Sequence, residues 1–342
     1  MTHETQIASS SRPAAWHESA RDYRWVIGPW IVVLAFTLVT LAMSRHVGIP
    51  IRDPGGSLFG LRLGLSLVLF GLFVVVDAGI RAGRSGRTWR NAVFELRRRW
   101  PKDRVAIALT GLLAYHIVYV CYRNLKSWVA FQQVRDTELL DFDRWLFFGN
   151  SPAILLHDLL GDPVSTYVLA LVYRSFAILV PVSFVAALVF ANRIRDGYVF
   201  LMSAIWLWIF GLGSYYLIPS RGPFASAPEQ FAHLSHTAIT ATQGKYLAGR
   251  SHLLQHPLAS DALNSISAFA SLHVAFTFMV LLVVRSYGFR RATIALGVYL
   301  TAVIVATIYF GWHYTSDDLA GLVVGFLAAL FGRWIVYPRR QP

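Results

Sequence analysis

The chain has 342 residues, 56% of them hydrophobic and 14% charged, with a mean hydropathy of +0.50, a balance that excludes a soluble globular domain of this size. A net charge of +13 raises nucleic acid as a partner, and where the basic residues fall along the chain decides that question. The single cysteine, Cys121, excludes an intrachain disulfide.

In chain order, apolar runs long enough for a helix to cross a hydrocarbon layer of ~30 Å fall at 25–43, 57–80, 105–122, 163–190, 198–218, 266–285, 292–312 and 318–337. The predicted fold class is therefore all-α, a polytopic membrane helix bundle of about eight transmembrane helices. A helix satisfies its own backbone polar groups in lipid, which an open strand cannot do. The first run follows a polar N-terminus and is too long for the core of a signal peptide, so it reads as an anchor. Between the third and fourth runs, 123–162 carries amphipathic pieces such as Asp141 to Phe148, followed by Gly149 and Pro152. These predict interfacial helices, with tryptophan and phenylalanine at the headgroup level and the charged positions in water. The stretch 219–264 reads as a loop or lid. Its His233, His236, His252 and His256 have neither the regular spacing nor the carboxylate companions of a metal site, so no metal is expected. No internal repeat suggests a solenoid or propeller.

With the N-terminus inside, the cytoplasmic pieces carry 19 Lys and Arg residues, 9 of them from Arg81 to Arg104, and the outer pieces carry 9. This is the positive-inside asymmetry, and it puts both termini in the cytoplasm of a cell membrane. The dense run from Arg81 to Arg104 then reads as a topology signal that touches anionic headgroups. No aromatic-interleaved surface accompanies it, and no nucleic-acid partner is expected.

Three clusters of polar residues stand at helix ends, where their placement is costly and points to function. After the fifth run, Pro219-Ser220-Arg221-Gly222-Pro223 makes a tight turn, and Arg221 offers a planar charged fork suited to phosphate oxygens. A helix stop with a snorkelling arginine explains the same residues. At the start of the sixth run, Ser271 and His273 sit where free N–H groups and the helix dipole favour an anion, although a satisfied core histidine fits equally. Between the last two runs, His313 and Asp317 are one helical turn apart, so a carboxylate can fix the imidazole tautomer and leave its other nitrogen as a nucleophile or base. A structural His–Asp pair is the alternative. The loop charges put Arg221, Ser271, His273, His313 and Asp317 on one outer face, and nothing in the motifs imposes that.

These residues resemble the type-2 phosphatidic acid phosphatase superfamily, whose three motifs end in an arginine–proline turn, a serine–x–histidine and a histidine four before an aspartate. The resemblance covers about 219–325 and is greatest to the branch containing inositol phosphorylceramide synthases, through Ser271-Leu272-His273, His313-Tyr314 with Asp317, and the segment from Asp141 to Gly149. It implies a six-helix core within 105–342, with 1–104 supplying the N-terminal tail, two accessory helices and the basic loop. It also implies that His313, oriented by Asp317, attacks phosphorus, that His273 protonates the departing oxygen, and that Arg221 and Ser271 hold the non-bridging oxygens, with no metal or cofactor. The chain departs from the pattern at Ala306-Thr307, where a serine–arginine pair is usual, and in having no lysine ahead of Arg221. Arg123, Lys126 or Arg174, the last about 16 Å into its helix at 1.5 Å per residue, would then substitute, or the substrate is a monoanionic phosphodiester. The expected partner is a phospholipid or polyprenyl-phosphate substrate, with a possible polyol acceptor. A non-enzymatic lipid transporter or binding protein using His313 and Asp317 as a proton relay is the competing reading.

Overall fold

A computed structural model describes residues 20–84 and 89–338; the N-terminal tail, Arg87 of the basic run, and Arg339 and Arg340 lie outside them. Every regular element among the described residues is helical. The long helices are α1 (Ile27–Val47), α2 (Gly60–Arg84), α4 (Lys102–Trp128), α7 (Val164–Phe190), α8 (Ile194–Leu217), α12 (Arg290–Tyr309) and α13 (Thr315–Val336). These seven are long and apolar enough to cross a membrane. Between them lie α3 (Trp89–Arg99), α5 (Asp136–Leu146), α6 (Pro152–Leu160), α9 (Pro223–Ser226), α10 (Ala238–Gln255) and α11 (Leu272–Ser286).

Links as short as 191–193 and 287–289 make consecutive helices antiparallel, so the bundle has two distinct ends. At the basic end, Arg99 donates to the Ala191 carbonyl at 2.7 Å, Arg195 to the Val336 carbonyl at 2.6 Å and Tyr287 to the Asp196 carbonyl at 2.8 Å. The opposite end gathers α5, α6, α9, α10 and the turn before α13. There Arg52, in the link between α1 and α2, reaches the Pro257 and Ala262 carbonyls, and its backbone exchanges hydrogen bonds with Asn124 of α4.

Helix α8 is the hub, with Leu201, Met202, Ala204, Ile205 and Leu207 fully buried and with α4, α7, α11 and α13 packed around it. Small residues on one face of α13 let it approach closely, as expected where lipid supplies no hydrophobic force between helices. A Cβ at Gly321 would lie 2.6 Å from the Ser271 carbonyl oxygen and one at Gly325 2.5 Å from that of Ala275. The N-terminal ends of α11 and α13 are thereby locked together.

Two elements differ from the sequence expectation. The run 266–285 becomes a helix only from Leu272, so α11 has 15 residues and a length of about 22 Å at 1.5 Å per residue, short of a full span. Residues 264–270 are irregular instead, because serine hydroxyls and one serine carbonyl take the backbone bonds a helix would have made. The Ala270 and Phe269 N–H groups donate to Ser214 Oγ and Ser220 Oγ at 2.8 and 3.0 Å, Ala268 N–H to the Ser220 carbonyl at 3.0 Å, and Asn264 N–H to Ser127 Oγ at 3.0 Å. Irregular backbone at membrane depth is tolerated when it is satisfied in this way. The predicted lid contains the 18-residue α10, started by a reciprocal cap between Thr237 and Thr240. No apolar face announces it, because its exterior is mixed.

Candidate active site

Three irregular segments meet at the end of the bundle opposite α3: the Arg221 turn after α8, the non-helical segment before α11, and the turn 310–314 before α13. Two glycines make the meeting possible. Gly222 has φ +98°, and a Cβ there would lie 2.6 Å from the Trp312 carbonyl oxygen; Gly311 has φ +65°, and a Cβ there would overlap the Phe231 ring. Both conformations are in the region that favours glycine. Phe224 N–H then donates to the Gly311 carbonyl at 2.9 Å, which stitches the first segment to the third.

His313 is 5% exposed. Its Nδ1 lies 2.9 Å from the Ala268 carbonyl oxygen and 3.4 Å from Asp317 Oδ2. The closer acceptor is the carbonyl, so the tautomer with hydrogen on Nδ1 is the one the surroundings satisfy, and Nε2 keeps its lone pair. Asp317, fully buried, accepts the Tyr314 N–H at 2.9 Å through the same Oδ2, while its Oδ1 has no partner among the described residues. Burial, with the charge of Lys126 adding to it, pushes the His313 pKa down to about 3. The ring of His273 stands 5.8 Å from that of His313, stacked on Tyr173 at 4.4 Å and against Phe176 at 4.3 Å. Tyr173 stacks in turn on Trp312 at 5.5 Å, so aromatic rings wall both histidines.

Both histidines line a cavity of about 720 Å³ that also takes in Arg123, Lys126, Arg174 and Arg221 and has no carboxylate in its wall. Four basic side chains and no carboxylate in the wall give it a positive lining. Lys126 is 9% exposed, its Nζ 4.9 Å from the Tyr215 ring centre, and Arg123 donates to Ser265 Oγ at 2.9 Å. Neither Lys126 nor Arg174 forms an ion pair with any described residue. Helix α4 runs to Trp128, so Arg123 and Lys126 project from its last turns rather than from a loop. Arg221 is held through Nε, 2.9 Å from Asp136 Oδ2, which leaves its Nη groups for the cavity.

Of the residues singled out from sequence, His273, His313, Arg123, Lys126, Arg174 and Arg221 come together on this cavity, and Asp317 stands behind His313. Ser271 does not reach it: the residue is fully buried, caps α11 by accepting Val274 N–H at 3.5 Å, and donates its own N–H to the Asp317 carbonyl at 2.9 Å. Thr307, at the position where the resemblance leads one to look for arginine, is buried behind the site and bonds Asp318 Oδ2 at 2.9 Å. Sequence reasoning missed Ala268, whose contribution is a carbonyl and leaves no mark in residue type, and Asp136 and Asp143 of α5. Asp143 Oδ2 accepts Thr315 N–H at 2.9 Å, capping α13, and burial raises its pKa. The signal available was two carboxylates seven residues apart in an otherwise apolar-faced helix. Among the described residues no group of three His, Cys, Asp or Glu side chains is placed to hold a metal ion.

Fold and site together define a polytopic helical membrane protein with a cationic cavity and paired histidines at one end of the bundle. The chain belongs to the PAP2 superfamily, whose model matches residues 137–331, from α5 to the last third of α13. With seven membrane-length helices, that membership gives it a lipid-phosphatase type of function in a membrane. No curated protein and no solved structure matches the chain.

Proposed function

We propose that the chain is a metal-independent lipid phosphotransfer enzyme that works through a phosphohistidine at His313. The observation that carries this reading is the placement of His313: Nδ1 is occupied by the Ala268 carbonyl while the ring borders a cavity lined by four cations and no carboxylate. In the first step the Nε2 lone pair forms a bond to phosphorus, the bond from phosphorus to the leaving oxygen breaks, and His273, which takes up a proton when the phosphate anion enters beside it, gives that oxygen its proton. The imidazole becomes cationic, and Asp317 at 3.4 Å stabilises that charge. In the second step an acceptor oxygen attacks phosphorus, the P–N bond breaks, and His273 takes the acceptor's proton. Covalent catalysis splits one difficult displacement into two, and fixed cations stabilise charge on the equatorial oxygens.

Arg221, Lys126, Arg123 and Arg174 hold the phosphate group in this reading, and Ser271 acts at one remove by fixing the start of α11. The branch resembling inositol phosphorylceramide synthases remains the reading for the transfer chemistry, with a polyol as acceptor and a phospholipid as donor. The loop charges support an extracytoplasmic site in the cell membrane with cytoplasmic termini, and an accessory unit of α1 to α3 on a core beginning at α4.

The test is turnover of labelled phospholipids, among them phosphatidic acid, a polyprenyl phosphate and an inositol phospholipid, by purified protein in liposomes with a chelator present. Label release should persist in chelator and disappear in His313→Ala. Addition of inositol should divert label into a new ester if the enzyme is a transferase and change nothing if it is a phosphatase. Strict dependence on a divalent metal, or full turnover in His313→Ala, contradicts the proposal.

A further inference from the structure

Asp136 opens α5, is 3% exposed and does not border the cavity, yet four donors converge on it. Its Oδ1 accepts the Arg221 N–H at 2.8 Å, the Gly222 N–H at 3.1 Å and the Tyr314 hydroxyl at 2.9 Å, and its Oδ2 accepts Arg221 Nε at 2.9 Å. These donors come from two segments far apart in the chain. Arg221 and Gly222 form the turn after α8, whereas Tyr314 follows His313 directly and donates its own N–H to Asp317. One carboxylate therefore joins the arginine turn to the histidine turn.

The manner of the Arg221 contact matters as much as its existence. A guanidinium presents its donors in a rigid planar fork, so an anchor on Nε fixes the plane and leaves the N–H groups of the opposite edge for the cavity that Arg221 lines. A charge-assisted bond to a buried carboxylate is also stronger than a neutral one, and the backbone N–H groups of the same turn hold the carboxylate in place. We propose that Asp136 is a positioning residue: it aims the Nη groups of Arg221 at the phosphate subsite beside His313 and so sets the affinity of the cavity for a phosphate-class anion. The inference rests on the reading of the cavity as a phosphate site.

A purely structural Asp136 would satisfy the same buried N–H groups, so the test must separate aim from fold. Binding of inorganic phosphate to the purified full chain in detergent micelles, followed by calorimetry, does so without requiring turnover. The proteins compared are wild type, Asp136→Asn, Arg221→Lys and the double variant, with Asp143→Asn as the reference. Asp143 lies on the same helix and grips Thr315 N–H without forming an ion pair with any described residue. Asp136→Asn is expected to weaken phosphate binding at least tenfold, and the double variant to bind no more weakly than Arg221→Lys alone, because both changes remove one shared interaction. Any loss in Asp143→Asn should instead multiply with that of Arg221→Lys.

Phosphate affinity within twofold of wild type in Asp136→Asn overturns the inference. So does a double variant whose loss is the product of the two single losses, or a wild-type protein that binds no phosphate. Should Asp136→Asn fail to fold, Asp136→Glu, which keeps the charge and moves it by one methylene, enters the same cycle under the same criteria. A protein that binds phosphate through Arg221 and Asp136 but shows no His313-dependent turnover would end the enzymatic reading and leave this link standing.

Discussion

His313 is held neutral by its surroundings, and that has a consequence in stability as well as in chemistry. Its folded pKa of about 3 lies below the ordinary 6.5, so the unfolded chain binds the proton more readily at intermediate pH. The contribution of this residue is fully present above pH 6.5 and is lost as pH falls from there through the folded pKa. Thermal unfolding in micelles should therefore show a melting temperature that declines between roughly pH 6.5 and pH 4, with a shallower decline in His313→Gln. An unchanged slope in the variant would show that the ring is not held in this way. For Arg221, the rigid fork rather than bare charge is what the Asp136 anchor uses. Arg221→Lys should accordingly lose about 10²-fold in kcat/KM, in the range seen for loss of one transition-state donor, and a loss below threefold in lipid turnover would argue against the fork.

At the scale of elements, the site depends on backbone that is not helical where the sequence is apolar enough to be. Ser214 both receives the Ala270 N–H and donates to the Gly211 carbonyl at 2.7 Å. Ser214→Ala would leave a buried N–H unpaired and should cost about 1–3 kcal/mol, read as a lowered melting temperature. A stability equal to wild type would mean that residues 264–270 are satisfied otherwise. On the other side of the site, Gly325→Ala pushes a methyl into the Ala275 carbonyl and should cost about 1–3 kcal/mol by overpacking, together with turnover, because α11 carries His273 and α13 follows His313. An active, fully stable variant would show that the close approach is unnecessary. The shortening of α11 was not legible in the sequence. Phe269, Ala270 and Leu272 are apolar on either side of the boundary, and only the partners of Ser214 and Ser220, distant in the chain, decide where the helix begins. For α10 the difficulty was different, since local capping created a helix whose residues carry no periodic pattern.

For the whole molecule, hydropathy revealed most of the architecture: all seven long membrane helices coincide with predicted runs, and the eighth run, 266–285, holds the shorter α11. Composition alone sufficed there, because a spanning helix must be apolar along its length. The cavity itself was only partly legible. Arg123, Lys126 and Arg174 could be nominated from position, but whether they face one space depends on how α4 and α7 flank α8. The sidedness proposed for the site has its own test in intact cells. In a Cys121→Ser background, a cysteine at Asp261, 73% exposed in its side chain, should react with a membrane-impermeant thiol reagent. One at Asn192, exposed at the basic end, should not. The opposite pattern would invert the proposed topology.

The most direct test of the central claim is to trap the covalent intermediate. Purified protein mixed briefly with a phosphorus-labelled lipid substrate and quenched in alkali should carry an acid-labile, base-stable phosphoryl group that peptide mass spectrometry assigns to His313. The adduct should be absent from His313→Ala and should form and decay more slowly in His273→Gln, where the proton carrier of both steps is missing. Sustained turnover with no adduct at His313, or an equal adduct in His313→Ala, would contradict the account.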